Sequence, residues 1–255
     1  MFDEANPQGA GTARSIERAI DILKVLRESR VPMTLSEIAR MSRNHLATTQ
    51  RIVNVLVRTG YATQERSRYA IGVMSLLNSY SYLLSNTLVQ VSLPVIQELA
   101  SVTGFFASLA VRVELKQILL LRVEGKEPLR YQLPDGERYP LHVGAARILA
   151  AALDAAELEA LLAETPEMRL ASGEVVTHEE FREDLRNIRA QGHAISNSQR
   201  LVGSMSAAVP LYDHDNQVIA SLYVAARTEK WTPEVVERCL VELKLASASI
   251  TKRLA

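Results

Sequence analysis

Residues 35–61 read LSEIARMSRNHLATTQRIVNVLVRTGY, and their apolar side chains recur at the three- and four-residue spacing of two short helices. Thr34 precedes the first pattern and Glu37 follows three residues later, which is the spacing of a capping box. The second pattern closes at Gly60, a common residue just past the end of a helix. The joint, MSRNH, has no glycine, although turns of this kind often contain one. The stretch predicts two helices joined by a tight turn.

The flanking residues extend this pair into a larger unit. SIERAIDILKVLRES, residues 15–29, has the periodicity of a further helix. YATQERSRYAIG, residues 61–72, alternates around a polar tip and predicts a short β-hairpin. Three helices followed by a hairpin describe a winged helix-turn-helix, in which the second helix of the pair enters the major groove of DNA.

The charge of the chain is balanced overall but unevenly distributed. Its 29 lysines and arginines equal its 29 aspartates and glutamates. Residues 1–70, however, contain 11 basic against 7 acidic side chains. A basic N-terminal third suits a nucleic-acid-binding module joined to a body with another task, and ordinary charge scatter is the alternative.

Composition limits the class of protein. The 255 residues are 47% apolar and 23% charged, which predicts packed cores rather than disorder. No apolar run reaches the roughly 18–20 residues of a membrane span, and MFDEANPQGAGTAR at the N-terminus lacks the order of a signal peptide. The single cysteine, Cys239, excludes an internal disulfide and is expected to be buried and inert. We expect a cytoplasmic protein.

The pattern changes from residue 105 onward, where strands and helices are segregated, as in an α+β fold. Two helices have clear ends: Thr177 and Glu180 form a capping box before the first, and Thr232 precedes Pro233 at the start of the second. The segments that predict strands are FFASLAVRV (105–113), KQILLLRVEG (116–125), PLRYQLP (128–134) and the hairpin SMSAAVPLYDHDNQVIASLYVAAR (204–227). The segments that predict helices are HVGAARILAAALDAAELEALLAE (142–164), THEEFREDLRNIRAQGHA (177–194) and TPEVVERCLVELKLASASITKRLA (232–255).

These patterns divide the chain into four parts. Residues 1–13 are expected to form a disordered tail, and residues 14–72 the winged helix-turn-helix domain. Residues 73–90 are expected to form a linker helix, with Pro94 opening the next helix. Residues 91–255 are expected to form the second domain, built around an antiparallel sheet.

The helix-turn-helix offers two kinds of candidate DNA contact. Cationic side chains suited to phosphates are Arg43, Arg51, Arg66 and Arg68. Polar side chains suited to base edges are Asn44, His45, Thr48, Thr49 and Gln50. Asn44 is also expected to adopt the turn conformation and cap the second helix, with Leu46 packed inward. A solvated helix face remains the alternative for each residue alone, and Arg14 and Arg18 suit either DNA or a partner subunit.

The order of these motifs resembles the IclR family of bacterial transcription regulators, from about Arg14 to the C-terminus. In the first domain the resemblance rests on SIERAIDIL, LSEIARMS, Thr48 and Arg51, GYATQ and RYAIG. In the second it rests on DGERYPLHVGAARILAA, IRAQGHAIS and GSMSAAVPLYDHDNQVIASLYV. The family implies a GAF-like effector-binding domain behind the winged helix, and a homodimer or dimer of dimers. It further implies a ligand-responsive regulator, expected to be a repressor of a catabolic operon with a pseudo-palindromic operator.

The sequence departs from the family in two places. RNHLA, residues 43–47, stands where members usually have a Gly-Leu-Pro-like turn, which bears on DNA sequence preference. Most members also have an acidic residue near SNSQ, residues 196–199, and a cysteine where Ser206 stands. The second departure bears on the identity of the ligand.

The resemblance places the effector between the sheet and the Gly/Ala-rich helix. The positions that it implies are Leu141, Gly144, Ala145, Ala146, Ser196, Asn197, Ser206, Ala208 and Tyr223. Small residues at a helix start leave room and N–H donors for a carboxylate, and Ser206 adds a hydroxyl, so the expected effector is a small organic or aromatic acid. Without the resemblance, residues 144–146 would be interpreted as tight helix packing.

Enzyme, cofactor and metal motifs are missing from the sequence. It contains no G-x-S-x-G, Walker, G-x-G-x-x-G or H-E-x-x-H motif, and its 5 histidines are scattered. We therefore expect no enzyme, no cofactor and no metal, and His142 is expected to be structural or a ligand donor. The alternative is a small-molecule-binding or enzymatic protein whose N-terminal helices serve only dimerisation.

Overall fold

A computed structural model describes residues 7–126 and 137–254, with side chains described from residue 13. The chain divides into two compact units, Met1–Leu84 and Ser85–Ala255. The first begins with a helix, and its hairpin is followed by a further helix, α4 (Met74–Ser85). Its other elements are α1 (Pro7–Glu28), β1 (Met33–Thr34), α2 (Leu35–Met41), α3 (Leu46–Arg58), β2 (Ala62–Glu65) and β3 (Arg68–Ile71).

The first unit is a winged helix-turn-helix, as the sequence predicts. The hairpin β2–β3 pairs Ala62 with Ile71 in antiparallel register, and β1 adds to the free edge of β3. α1, α2 and α3 enclose a small core that includes Ile22, Ile38 and Val53. The capping box is present, since Thr34 and Glu37 bond each other's backbone N–H groups and the bond to Thr34 lowers the pKa of Glu37.

Two predicted boundaries differ from the structure. α1 begins at Pro7, so residues 7–13 of the expected disordered tail are helical, while residues 1–6 lie outside the described residues. The expected linker helix, residues 73–90, is divided between α4 (Met74–Ser85) and α5 (Thr87–Thr103). The break follows from Asn86, whose side chain accepts a 3.1 Å hydrogen bond from the N–H of Val89. Pro94 therefore lies inside α5 rather than opening it.

The second unit is α+β, and its antiparallel sheet has the strand order β6 (Arg138–Pro140), β5 (Lys116–Val123), β4 (Phe106–Val113), β11 (Val218–Arg227), β10 (Ser204–Tyr212) and β9 (Ala194–Asn197). The predicted hairpin at residues 204–227 is confirmed, whereas the strand predicted at 128–134 lies outside the described residues. After α5 the elements are β4 (Phe106–Val113), β5 (Lys116–Val123), β6 (Arg138–Pro140), a 3-10 turn (Gly144–Ala146), α6 (Arg147–Ala151), α7 (Ala155–Glu164), β7 (Met168–Arg169), β8 (Val175–Val176), α8 (His178–Gln191), β9 (Ala194–Asn197), β10 (Ser204–Tyr212), β11 (Val218–Arg227) and α9 (Pro233–Leu254).

A hydrophobic core lies on each face of the sheet, because successive side chains of a strand point to opposite faces. On one face, Ala107 and Leu109 pack with α5 and α9, and Cys239 is fully buried there. On the other, Phe106 and Ala110 pack with α6 and α8. Burial raises the pKa of the Cys239 thiol to about 11, as expected for an inert cysteine.

The Gly/Ala-rich segment, residues 142–164, is not the single helix that the sequence suggests. It is divided into the 3-10 turn, α6 and α7. α6 ends at Ala151, and Asp154 starts α7, because its side chain accepts from the N–H of Glu157 at 2.8 Å. The division leaves the short turn Gly144–Ala146 lying across the sheet, where Ser221 Oγ donates to the carbonyl of Ala145 at 2.9 Å.

Candidate functional site

The turn before α3 is formed by Arg43 rather than by the expected Asn44. Arg43 adopts the left-handed conformation, with φ 54°, that a glycine usually supplies. The side chain of Asn44 instead donates to the carbonyl and hydroxyl oxygens of Ser42, at 3.1 and 3.2 Å. His45 occupies the N-cap of α3 without a side-chain capping bond. The prediction that Asn44 caps the helix is therefore wrong.

The outer face of α3 and the turn before it carry most of the expected DNA-contacting side chains. Arg43, His45 and Arg51 are exposed, and Asn44, Thr48 and Gln50 are half-buried. Gln50 Nε2 donates to Oδ1 of Asn54 at 2.8 Å, which orients both amides along that face. The result is a polar and cationic strip that follows the first two turns of the helix.

Two residues of α3 lie opposite to their predicted positions. Thr49 was expected at a base edge, but it is fully buried and its hydroxyl donates to the carbonyl of His45 at 3.1 Å. Its position one residue beyond Thr48 turns it toward Ile52 and Val53 in the core. Leu46 was expected in the core, but 52% of it is exposed, because it begins the helix on the outer side.

The hairpin and α1 carry the remaining cationic candidates. Arg66 is exposed at the tip of the β2–β3 turn, with φ 55°. Arg68 is exposed as well, but its Nη1 donates to the carbonyl of Pro32 at 2.9 Å and so ties β3 to the segment before β1. Arg14 is exposed and Arg18 is half-buried on α1.

The second unit contains a small cavity over the sheet. Its floor is one row of paired residues that crosses four strands: Ser196 in β9, Ser206 in β10, Ala225 in β11 and Phe106 in β4. Tyr223, from the next row, borders it edge-on to Phe106, with ring centroids 6.4 Å apart. Gly144 and Ala145 form one wall, and Arg200, Leu201 and Ser204 form another. The cavity measures about 40 Å³, enough for a ligand of a few heavy atoms, since one water needs roughly 10–15 Å³.

Five of the nine expected effector-site residues line this cavity, namely Gly144, Ala145, Ser196, Ser206 and Tyr223. The other four do not. Leu141, Ala146 and Ala208 are fully buried in the core behind it. Asn197 is exposed, and its Oδ1 accepts from the hydroxyl of Thr228 at 3.2 Å. Asn197 points away from the cavity because successive side chains of β9 face opposite sides of the sheet.

The backbone of the turn at Gly144 is already engaged within the domain. Gly144 adopts φ 62°, and its N–H donates to Oε1 of Gln199 at 3.0 Å. The carbonyl of Gly144 accepts from Nε of Arg147 at 3.2 Å. The expected donation of this N–H to a carboxylate is therefore not available in this arrangement.

Arg147 is a structural cation. Its side chain is 6% exposed, and Nη1 donates to both carboxylate oxygens of Asp184 at 2.7 and 2.8 Å. Nη2 donates to the carbonyl of Ile195. Together with the bond from Nε to the carbonyl of Gly144, these bonds join α6, α8 and β9. They use the donors of Arg147 within the domain and leave none for a ligand.

Five cavity residues were not expected from the sequence, namely Phe106, Arg200, Leu201, Ser204 and Ala225, and Arg200 is the charged one among them. It lies in the loop between β9 and β10, and its guanidinium carbon stands 3.3 Å from the centroid of the Tyr139 ring. Its Nε and Nη2 atoms are buried, and neither has a hydrogen-bond partner among the described residues. An arginine in a polar loop is usually exposed, so sequence alone gave no reason to select it.

His142 does not line the cavity. It is half-buried, and burial lowers the pKa of its imidazole. Residues 7–126 and 137–254 contain no group of three or more His, Cys, Asp or Glu side chains placed to hold a metal ion. Within the same described ranges, no helix is both long and apolar enough to cross a membrane.

Comparison with known proteins gives matches to both units. A family model described as the IclR helix-turn-helix domain matches residues 15–66, and one described as bacterial transcriptional regulator IclR C-terminal matches residues 80–252.

Individual proteins match over most of the chain. The HTH-type transcriptional regulator BhcR of Paracoccus denitrificans is 28% identical, over 87% of this chain and 80% of its own length. The HTH-type transcriptional repressor AllR of Klebsiella pneumoniae is 26% identical, over 91% of this chain and 86% of its own. The crystal structure of an IclR homolog from Microbacterium hydrocarbonoxydans, complexed with 4-hydroxybenzoate, shares the fold, with a TM-score of 0.76, 22% identity, and coverage of 94% and 98% of the two chains.

Proposed function

The chain belongs to the IclR family of bacterial transcriptional regulators, and from this premise we propose that it is a cytoplasmic, ligand-responsive repressor of a catabolic operon. In this proposal the first unit binds operator DNA and the cavity of the second binds a small organic or aromatic acid. The protein acts by binding rather than by catalysis. A ligand regulates only if its affinity differs between the DNA-competent and DNA-incompetent states.

The observation that carries the DNA-binding role is the division of α3 into two faces. Ile52, Val53 and Leu56 hold the inner face in the core, while Arg51 on the outer face and Arg43 in the preceding turn are exposed cations. Arg66 at the hairpin tip adds a further cation. A rigidly packed helix with a polar, cationic outer face suits insertion into the major groove, with the hairpin on the phosphate backbone.

The ligand-binding role is supported by the chemistry of the cavity. It combines apolar walls at Phe106 and Leu201 with hydroxyl groups at Ser196 and Ser206 and a guanidinium at Arg200. A mostly apolar cavity with a few convergent polar groups is typical of small-molecule sites. The bound 4-hydroxybenzoate of the Microbacterium homolog is a carboxylic acid, which favours an acid here as well. An aromatic acid would need a wider cavity than the about 40 Å³ of this structure.

A homodimer or dimer of dimers is supported by α4. None of its residues is buried in the single chain, and its apolar side chains are unusually exposed for a helix of this composition. The exposed fractions are 50% for Leu76, 51% for Leu77, 53% for Tyr80, 49% for Tyr82 and 73% for Leu84. We infer that a second copy covers this face, which would present two α3 helices to a pseudo-palindromic operator. Sedimentation equilibrium should then give a multiple of the 28.2 kDa chain mass.

The repressor assignment draws on AllR of Klebsiella pneumoniae, which is named a repressor.

The decisive experiment for the function is fluorescence anisotropy of the full-length protein with the DNA upstream of its own gene. A scrambled duplex of equal length and composition is the control. We expect the upstream DNA to bind at least tenfold more tightly, with affinity falling steeply as salt rises. Equal affinity for both duplexes would favour the alternative, in which the N-terminal helices serve only dimerisation.

A further inference from the structure

Arg200 is carried by a loop with a fixed shape. The loop between β9 and β10 begins at Ser198, with φ 52°, and ends at Gly203, with φ 76°. The N–H of Ser198 donates to the carbonyl of Ser204 at 2.8 Å, and the N–H of Gly203 donates to Oγ of Ser198 at 3.1 Å. Gln199 fastens the loop to the turn at Gly144. The backbone at Arg200, which lines the cavity, is therefore fixed by bonds of its neighbours on both sides.

The two unpartnered donors of Arg200 lie on one edge of the guanidinium. Nε and Nη2 form the side of the group whose two N–H bonds run parallel, and both atoms are buried without a partner among the described residues. This edge matches the spacing of two carboxylate oxygens. Leaving charged donors buried and unpaired is costly, so the arrangement favours an anion that supplies two acceptors at once.

Other arginines near the cavity do not offer the same edge. Arg147 is saturated by Asp184 and two backbone carbonyls. Arg122 stacks on the Phe106 ring at 4.1 Å, but its Nε already donates to Glu124 at 2.6 Å. Arg200 has no ion pair with any carboxylate of the described residues, and no aspartate or glutamate lines the cavity. The charge of Arg200 therefore has no carboxylate partner among the described residues.

The hydroxyl groups provide a second polar contact. Ser196 Oγ and Ser206 Oγ are 2.7 Å apart on the cavity floor, and either can be the donor of the bond between them. One hydroxyl therefore keeps capacity to bond a ligand. The remaining surface, at Phe106, Leu201 and Ala225, is apolar. A ligand with one carboxylate and a small, mainly apolar body satisfies all three features.

We propose that Arg200 anchors the carboxylate of a small monocarboxylic acid through its Nε and Nη2 edge, and so determines the class of effector; this inference rests on the proposed function of the cavity as the effector site. The Tyr139 ring lies against one face of the guanidinium, so it fixes the plane in which the two donors meet the carboxylate. The ring also covers that face against water. Neutral analogues of the same shape leave the buried charge unpaired and bind far more weakly.

The inference is tested by calorimetric titration of the full-length protein with paired probes. Propionate, benzoate and 4-hydroxybenzoate are each compared with the corresponding primary amide, in wild type and in Arg200→Met, which keeps the length of the stem without its charge. Arg200→Lys retains the charge but not the two-donor edge. Arg186→Met, at an exposed position on α8, is the matched control.

We expect wild type and Arg186→Met to bind at least one acid more tightly than its amide. Arg200→Met should bind that acid at least roughly 30-fold more weakly than wild type does. The affinity of Arg200→Lys for the acid should lie between those of wild type and Arg200→Met. Undiminished acid affinity in Arg200→Met, equal affinity for acid and amide, or no acid binding to wild type at 10 mM would each overturn the role of Arg200. None of these titrations involves DNA. A failure of the proposed function would instead appear in the anisotropy experiment, as equal affinity for the upstream and scrambled duplexes.

Discussion

The guanidinium of Arg200 lies 3.3 Å from the centre of the Tyr139 ring, which joins the loop after β9 to the edge strand β6. The two residues are 61 positions apart in sequence, so only the folded sheet brings them together. Tyr139 is itself buried, at 8% exposure, and faces Gln117 across the β5–β6 pair. The position of the guanidinium depends on this ring as well as on the loop backbone.

Tyr139→Leu should weaken acid binding without abolishing it. A cation over an aromatic face contributes roughly 0.5–2 kcal/mol, which corresponds to about 2- to 30-fold in affinity. Tyr139→Phe keeps the ring and should retain most of the affinity. Titration of both variants with the acid that wild type binds measures the difference. Equal losses in the two variants would show that the hydroxyl, and not the ring, is what matters.

Arg51→Ala and Gln50→Ala should change DNA binding in different ways. Arg51 is exposed on α3, and its loss should weaken binding to all sequences and reduce the salt dependence by roughly one counterion. Gln50 is oriented by Asn54, and its loss should change the preferred sequence. Selection from a randomised operator library, at matched salt, distinguishes the two. An unchanged sequence preference in Gln50→Ala would mean that this face of α3 does not read bases.

Thr49→Val should affect stability and not sequence preference. The buried hydroxyl donates to the carbonyl of His45, and losing this bond costs about 1 kcal/mol. Thr48→Val, one residue earlier on the outer face, is the matched comparison and should leave stability nearly unchanged. Urea unfolding and operator selection on the pair separate the two effects. A shifted sequence preference in Thr49→Val with unchanged stability would contradict the observed burial.

His142 should make the second unit less stable in mild acid. Burial lowers its pKa below the usual 6.5, assisted by the charge of Lys116 and opposed by a backbone hydrogen bond at Arg169. Because the folded protein binds this proton more weakly than the unfolded chain, the stabilisation is complete above pH 6.5 and is lost as pH falls through the lowered pKa.

The measurement is the free energy of unfolding in urea at pH 7.5 and pH 5.5. His142→Gln should lose less stability between these values than wild type does. His214→Gln, at a side chain that is 74% exposed, should behave like wild type. An identical loss in wild type and His142→Gln would assign the acid sensitivity to other groups.

The local signals in the sequence were sufficient for most of the fold. The capping box at Thr34 and Glu37 and the hairpin at residues 204–227 depend on neighbouring residues, and both were predicted correctly. The start of α1 was not, because the glycines of residues 7–13 have low helix propensity, although Pro7 is well suited to a first helical position. The break at Asn86 was missed because the apolar periodicity continues across it.

The cavity could be predicted only in part. Five of the residues that the resemblance implied line the cavity, namely Gly144, Ala145, Ser196, Ser206 and Tyr223. Phe106 and Ala225 were missed because their place beside Ser206 follows from strand register between distant segments. Arg43 was placed in a phosphate-contacting role, and its left-handed backbone could not be read from a sequence that favours Asn44 for such a turn.

The most direct test of the central claim is the effect of a bound acid on DNA affinity, measured by anisotropy with the upstream duplex. For wild type and Arg186→Met, saturation with the acid identified by titration should change the dissociation constant for DNA by roughly fivefold or more. For Arg200→Met, the same concentration of acid should change the dissociation constant for DNA by less than about twofold relative to the acid-free variant. The account would be contradicted if the acid changed the dissociation constant for DNA equally in Arg200→Met and wild type. It would also be contradicted if the acid bound wild type without changing that dissociation constant.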